Sequence, residues 1–503
     1  GLGDVYKRQR QCQKGRVIMT YQDATAMATA VQAGQITPVE LVGQAIQKVK
    51  KLNPTLNAIT SERFEAALEE ARQRDFSGKP FAGVPIFLKD LGQELKGDLS
   101  TSGSKLFKDY HATKTDLFVQ RLEALGFIIL GRTNTPEFGF KNISDSRLHG
   151  PVSLPQDNSR NAGGSSGGAA AVVSSGISPL APASDGGGSI RIPASFNGLI
   201  GLKPSRGRMP VGPGSYRGWQ GASVHFALTK SVRDTKNLLY HLQVEQLESP
   251  FPLARLSKDS IYRPLERSLR IAFYQRLIDG SPVSLDTAEA LRQAVTWLTE
   301  QGHHLVELQE FPINMTEAIR HYYTMNSVET AAMFAGIETT FGRPMTKDDM
   351  ETMTWAIYQS GKDIPAWRYS QVLQKWDAYS ATMASFHETY DLLLTFTTNT
   401  PAPKHGELVP DSHLMAKLAQ AEAFNSKEQL NLVEAMFDKS LAINPYTALP
   451  NLTGQPAISL PTYETKEGLP MGIQLIAAKG REDLLLGIAE QFEVAGLLNI
   501  PQQ

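Results

Sequence analysis

Only one cysteine, Cys12, occurs in the 503 residues, so no disulfide can form within the chain. That fits a reducing compartment, and the expected location is cytoplasmic. Charge of one sign is also missing: Lys+Arg number 50 against Asp+Glu 51, for a net charge of −1. No basic excess points to nucleic acid or to an anionic lipid surface, so neither is expected as a partner. No apolar run reaches the ~18 residues of a membrane span. Residues 1–18 are polar and basic, without the apolar stretch of a secretory signal. Internal repeats and low-complexity tracts are absent as well.

What is present is an ordinary globular composition, 41% hydrophobic and 20% charged, with ample length for a large core. Length alone suggests roughly three domains of ~150 residues. The opening GLGDVYKRQ resembles a translated cloning or sequencing adaptor. Met19 therefore reads as the start, and residues 1–18 as a non-native or disordered leader.

Two helices are predicted between Tyr21 and Thr60. Ala24, Met27, Ala28 and Val31 fall at helical spacing until Gly34, and Thr37-Pro38 opens the second. A charged helix follows at Arg63 to Arg74. Phe81 to Asp90 reads as a short apolar strand ending in charge. Leu117 to Leu125 reads as a helix and Gly126 to Gly131 as a buried strand, with Arg132-Thr-Asn-Thr-Pro-Glu leaving it as a polar loop. The same helix–strand unit is predicted at Ala169–Ser175 and Ile177–Ala183. Further on, helices are predicted at Ser231 to Gln243 and Asp286 to Gln301. Strands are predicted at Leu269 to Tyr274 and His304 to Leu308. Residues 315–440 read as a helical cover interrupted by a strand at Asp391 to Phe396. The end returns to sheet at Ala457–Pro461 and Met471–Ile476, with a last helix from Arg481 to Glu493. Helices leading into strands of continuous apolar residues are the pattern of an α/β fold with a covered sheet.

The stretch Asn161 to Ser195 holds two glycine clusters wrapped round serines. Glycine is costly in chain entropy, so such clusters need a reason: a turn, or a backbone that must approach a ligand. Gly163-Gly-Ser-Ser-Gly fits the spacing of a nucleophile elbow, but that motif needs a buried strand before it. The preceding Pro155-Gln-Asp-Asn-Ser-Arg-Asn-Ala cannot supply one. Neither cluster has the Gly-Lys-Ser/Thr of a phosphate loop or the spacing of a dinucleotide site. Asp185-Gly-Gly-Gly-Ser189 is more informative. Successive glycine amides can converge on an oxyanion, with the Ser189 hydroxyl beside them. Such a serine needs a base. Histidine is the usual one, and none lies between His149 and His225, though sequence distance does not settle contact. Lys89, ending an apolar strand, is the other candidate, since burial would lower its pKa. Taken alone it reads more simply as a strand-end lysine reaching water.

At this point the residues resemble the amidase signature family. The resemblance rests on Gly83-Val-Pro…Leu-Lys89-Asp90, Gly131-Arg-Thr-Asn-Thr-Pro-Glu-Phe-Gly139, Gly163–Gly168 and Asp185-Gly-Gly-Gly-Ser-Ile-Arg-Ile-Pro193. Gly198–Pro204, Asn451–Pro461 and Gly468–Ile476 extend it, so that it covers nearly everything from Tyr21 onward. It implies the amidase signature fold, a large mixed twisted β-sheet covered on both faces by helices, as a single domain over 19–503. It also implies a Ser–cis-Ser–Lys triad. Ser189 matches the nucleophile, Ser165 the bridging serine after a cis Gly164–Ser165 bond, and Lys89 the base. The amides of Gly186, Gly187, Gly188 and Ser189 match an oxyanion hole, and Asp185 and Arg191 a structural pair holding the loop. Ser166 is expected either to hydrogen-bond within the site or simply to be small in a tight turn. The implied reaction hydrolyses an amide through an acyl-enzyme, without metal or organic cofactor.

One departure stands beside the nucleophile. The family usually carries threonine or a larger residue where this chain has Gly186, so a looser loop and a wider acyl pocket are expected. Trp219, His225 and Tyr322 are pocket-lining candidates left unassigned. The amidotransferase A subunits of the family normally carry a run near Ser-Ser-Leu-Asp-Gln, which Gly212 to Lys230 lacks. A stand-alone amidase is therefore expected, acting on a small linear or cyclic amide, with a homodimer left open. Gly342-Arg-Pro-Met-Thr-Lys-Asp-Asp, Thr354-Trp355 and Gly480-Arg-Glu-Asp-Leu-Leu resemble the subgroup that contains 6-aminohexanoate-cyclic-dimer hydrolase. The pocket itself is expected in the variable cover.

Overall fold

A computed structural model describes residues 22–502, so the expected leader 1–18 lies outside the described residues. The first helices form where local chemistry places them. Thr37 accepts the backbone N–H of Glu40 at 3.2 Å, and the Glu40 carboxylate accepts the N–H of Thr37 at 2.9 Å. With Pro38 at the first position this capping box starts the helix Pro38–Leu56. Helices Ala24–Gln32, Phe64–Gln73 and Leu117–Ala124 also stand where the apolar spacing puts them.

Two sheets carry the site. A small three-stranded one has Ile128–Thr133 in the middle, parallel to Pro85–Lys89 and antiparallel to Ile59–Glu62. Its central strand includes Arg132 and Thr133, so the polar loop expected from Arg132 starts two residues later. The large sheet has eight strands, in the order His304–Glu307, Arg270–Phe273, Leu392–Phe396, Pro470–Ala477, Ala457–Glu464, Ile200–Lys203, Val224–Thr229 and Ala181–Asp185. Parallel and antiparallel pairs are mixed within it. The fold is thus the mixed α/β fold that the resemblance implies.

One strand is displaced from its sequence-based position. Residues 177–183 were the expected strand, but the pairing runs over Ala181–Asp185, opposite Val224 to Leu228. Ser178 turns the chain first: its hydroxyl donates to the carbonyl oxygens of Leu180 (2.6 Å) and Pro85 (3.2 Å). Pro182 lacks a ladder donor and is tolerated because this strand lies at the sheet edge. The shift brings Ser184 and Asp185 onto the strand, with Asp185 as its last residue.

Several elements have no counterpart in the sequence reading, among them the strands Ile59–Glu62, Ile200–Lys203 and Val224–Thr229 and the helix Arg191–Asn197. The helix is short and carries Pro193, which its first turn tolerates because those N–H groups have no intrahelical partner. It packs on the strands Pro470–Ala477 and Ala457–Glu464, as do helices Leu285–Glu300 and Glu482–Val494. The segment before Gly163 forms a ribbon strand, Asp157–Asn161, with Asn158 and Ser159 exposed. It pairs with Ser153–Leu154 and bridges to Lys404, with its middle exposed, so it is not the buried strand of a nucleophile elbow. Helices Met315–Phe341, Thr352–Lys362, Ala366–Thr389 and Ser426–Ile443 form the cover. A contiguous apolar cluster extends from Ala24 to Phe492. Among the described residues no helix is long and apolar enough to cross a membrane.

Candidate active site

The two sheets meet where the strand Pro85–Lys89 packs against Ala181–Asp185. Every residue of both strands is buried. Lys89 therefore ends its strand inside the protein, with no exposed surface, and does not reach water. Its Nζ lies 2.7 Å from Ser165 Oγ and 2.9 Å from Ser184 Oγ. Burial pushes the Lys89 amine down to about 7, against a smaller opposing pull from the Asp185 carboxylate. A large share of Lys89 is thus the neutral amine near pH 7. Its backbone N–H donates to Gln93 Oε1 at 2.8 Å, and Arg132 Nη1 donates to its carbonyl oxygen at 3.2 Å.

The first glycine cluster delivers Ser165. Asn161 and Ser144 hold it: Gly163 N–H donates to Asn161 Oδ1 at 2.9 Å, and Ser144 Oγ donates to the Gly163 carbonyl at 2.8 Å. Gly163 has φ +89, a conformation that favours glycine. A Cβ on Gly164 would lie 2.7–2.8 Å from the Ile143 backbone, so only glycine permits that approach. The Gly164–Ser165 bond is cis, as the resemblance implies. Ser166 donates to the Ser184 carbonyl (3.2 Å) and accepts the Ser184 N–H at 3.4 Å. It thus ties the first cluster to the strand that leads into the second, and it directly precedes the helix Gly167–Ser174.

The second cluster leaves the sheet edge at Asp185. Arg191 clamps the Asp185 carboxylate with two nitrogens, Nη2 to Oδ1 at 2.8 Å and Nε to Oδ2 at 3.0 Å, both side chains fully buried. Burial alone would raise the Asp185 carboxyl, but Arg191 and Asn451 outweigh it and hold it well below the usual range. Arg191 also donates to Gln474 Oε1 (2.6 Å) and Asn451 Oδ1 (2.8 Å). The turn is therefore locked to the C-terminal helix Leu449–Thr453 and strand Pro470–Ala477.

One assignment needs correction. The Gly188 N–H donates to Asp185 Oδ1 at 2.8 Å and is not free for a ligand. The carboxylate that ends the strand turns back over the loop and takes this amide, together with that of Ile190 at 3.1 Å. The candidate oxyanion donors are then the amides of Gly186, Gly187 and Ser189. Within 181–190 only Gly187 and Ser189 are incompletely buried, and both line a cavity of about 80 Å³.

The expected widening beside Gly186 is also overturned. A Cβ there would come within 2.9 Å of two ring atoms of Trp219, and one on Gly187 within 2.4 Å of the Tyr322 hydroxyl. The space left by the missing side chains is filled by these two aromatic rings, which border the cavity with Phe140 and Phe437. Of the three unassigned candidates, Trp219 and Tyr322 are thus in the site. His225 is not: it lies 3.4 Å from Gln93 Nε2 and stacks on Phe118. Burial, and then Lys89, push it down to about 4. His149 pairs with Thr101 at 2.9 Å. The choice between histidine and lysine beside Ser165 thus falls to Lys89.

Sequence reasoning missed Ser184, Gln93, Asn451 and Gln474. Asn451 and Gln474 lie inside the C-terminal blocks that carry the resemblance, where no role was attached to them. Ser184 precedes Asp185 directly, but with the strand expected to end at Ala183 nothing pointed it at Lys89.

The profile of the amidase family matches residues 40–486. A lipoamidase of Enterococcus faecalis is 38% identical over 488 residues, which cover 96% of this chain and 64% of that protein. This chain thus spans about two thirds of that relative's length. A 6-aminohexanoate-cyclic-dimer hydrolase of Paenarthrobacter ureafaciens is 34% identical, with 94% of this chain and 95% of the relative covered. A solved structure of 6-aminohexanoate cyclic dimer hydrolase with its substrate superposes with a TM-score of 0.84 at 32% identity, over 95% of this chain and 97% of that one. The chain belongs to the amidase family and is an amide-hydrolysing enzyme.

Proposed function

We propose that this amidase cleaves the carbon–nitrogen bond of a small linear or cyclic amide through Ser189, Ser165 and Lys89. What supports the reading above all is a buried lysine whose amine is pushed down to about 7, 2.7 Å from Ser165, beside a loop that presents Ser189 to a cavity. Neutral Lys89 accepts the Ser165 proton as Ser165 accepts that of Ser189. Ser189 Oγ bonds to the carbonyl carbon, and the amides of Gly186, Gly187 and Ser189 donate to the developing oxyanion. The carbon–nitrogen bond then breaks while the proton returns along the same path to the leaving nitrogen. Water repeats the attack on the acyl-enzyme, restoring Ser189 and releasing the acid. The relatives' names, lipoamidase and cyclic-dimer hydrolase, agree with an amide substrate of this size class.

Labelling with a fluorophosphonate probe and locating the adduct by mass spectrometry tests the nucleophile. One adduct on Ser189, absent from Ser189→Ala, is expected. No adduct on folded protein would mean a binding protein descended from amidases. Ser184 gives a second expectation. It keeps the Lys89 amine in place at 2.9 Å, so Ser184→Ala should lower kcat/KM about tenfold, the worth of one hydrogen bond of ~1–1.5 kcal/mol. Kinetics at fixed pH read this directly, and an unchanged kcat/KM would mean that Ser184 does not position the Lys89 amine.

A further inference from the structure

Trp219 sits in the short turn Gly218–Gly221 with φ +49 and ψ 52, and Gln220 follows with φ +53 and ψ 33. Two successive non-glycine residues in the left-handed region cost free energy, so something must hold them there. The holding groups come from the helical cover. Gln220 Nε2 donates to Glu329 Oε1 at 3.0 Å, and the Tyr369 hydroxyl donates to the same oxygen. The turn aims the indole at the loop that carries Ser189. Its ring stacks on Phe140 at 6.1 Å, nearly parallel at 9°, and meets Tyr322 edge-on at 6.2 Å and 80°. On its remaining side the indole abuts Gly186, where even a methyl group would stand 2.9 Å from the ring. Braced on three sides, it cannot turn away without unstacking from its neighbours.

We propose that Trp219, seated against Gly186, is the specificity wall of this enzyme: it admits acyl groups that leave the carbonyl as an unbranched methylene chain and rejects those branched at the adjoining carbon. The inference rests on the Ser189 acyl-enzyme reading. The acyl carbon stays bonded to Ser189 Oγ through both half-reactions, so the carbon next to it occupies the inner cavity for the whole cycle. That cavity is only about 80 Å³ and is walled by Trp219 and Tyr322. A methylene chain can run along these ring walls, whereas a branch at the first carbon must displace one of them. Two wider spaces adjoin it, one of about 210 Å³ sharing Lys141, Asn142, Phe437 and Ser440 and one of about 350 Å³ sharing Ile319, Tyr323 and Leu441. Bulk further along the substrate is therefore tolerated. An amide of an α-amino acid, branched at that first carbon, is disfavoured.

The test compares hexanoyl and 2-methylhexanoyl p-nitroanilides, with rates normalised to Ser189 titrated by a fluorophosphonate so that misfolded protein drops out. Wild type should favour the linear substrate by ~10-fold or more in kcat/KM, the discrimination available for one methyl group in a tight apolar pocket. Trp219→Ala should raise the branched-to-linear ratio by more than about threefold, toward ~10-fold, with Trp219→Phe between it and wild type. Gly186→Ala should impair both substrates, and adding Trp219→Ala should recover activity, a non-additivity expected only if the two positions touch. Equal wild-type rates, or a ratio within about threefold of wild type in Trp219→Ala, would overturn the proposal. Normal Ser189 labelling and linear turnover in that case would leave the acyl-enzyme reading standing. Absence of both would remove that reading and this inference with it.

Discussion

Replacing Ser189 by alanine is expected to abolish amide hydrolysis, lowering kcat by on the order of 10⁴–10⁶, as when the nucleophile of a serine hydrolase is removed. The fold should survive, because the Ser189 side chain faces the cavity and the Asp185–Arg191 clamp holds the loop independently of it. A thermal unfolding curve that overlays wild type, with turnover lost, is the expected pair of results. A residual loss of only a few-fold would point to a nucleophile other than Ser189, since amide donors and binding alone cannot supply the missing chemistry.

Lys89 should have an effect of similar kind with a distinct pH signature. The reaction needs the neutral amine. Burial disfavours the ammonium form and brings the pKa down to about 7. Raising pH through about 7 therefore generates the base, and lowering pH below it consumes the base. Wild-type kcat/KM should fall about tenfold per pH unit on the acid side of that value and level off above it. Lys89→Met keeps the apolar stem and removes the amine. It should lower kcat/KM by ~10²–10⁴-fold and erase the acid limb. His225 is neutral across that range, since its ring titrates near 4, and cannot supply the limb instead. An acid limb persisting unchanged in Lys89→Met would exclude Lys89 as the titrating group.

Several features of the site were legible from residues alone because they are local. The capping box at Thr37–Glu40 and the buried strand that ends in Lys89 follow from spacing and side-chain type within a few positions. The glycine at 164, which no other residue can replace against Ile143, belongs to a motif that can be seen without coordinates. Other features were not legible because they depend on register between distant segments. The edge strand starts four residues later than expected, since apolar character alone did not show that Ser178 turns the chain before pairing begins. With that error Ser184 had no reason to face Lys89. Gly188 was counted among the oxyanion donors because four adjacent amides look equivalent in one dimension. The carboxylate of Asp185, folded back over its own loop, makes them inequivalent.

The two glycine clusters, the serines within them and the lysine 76 residues before Ser165 are determined by the sequence, because a motif of backbone-permissive and reactive residues is written in order along the chain. What the clusters face was decided by tertiary structure. A missing side chain at 186 reads in sequence as added space, and in three dimensions Trp219 has moved into it from a turn 33 residues away. Close packing is the reason. A protein interior rarely leaves a methyl-sized gap open, and which neighbour fills it depends on contacts that no local pattern records.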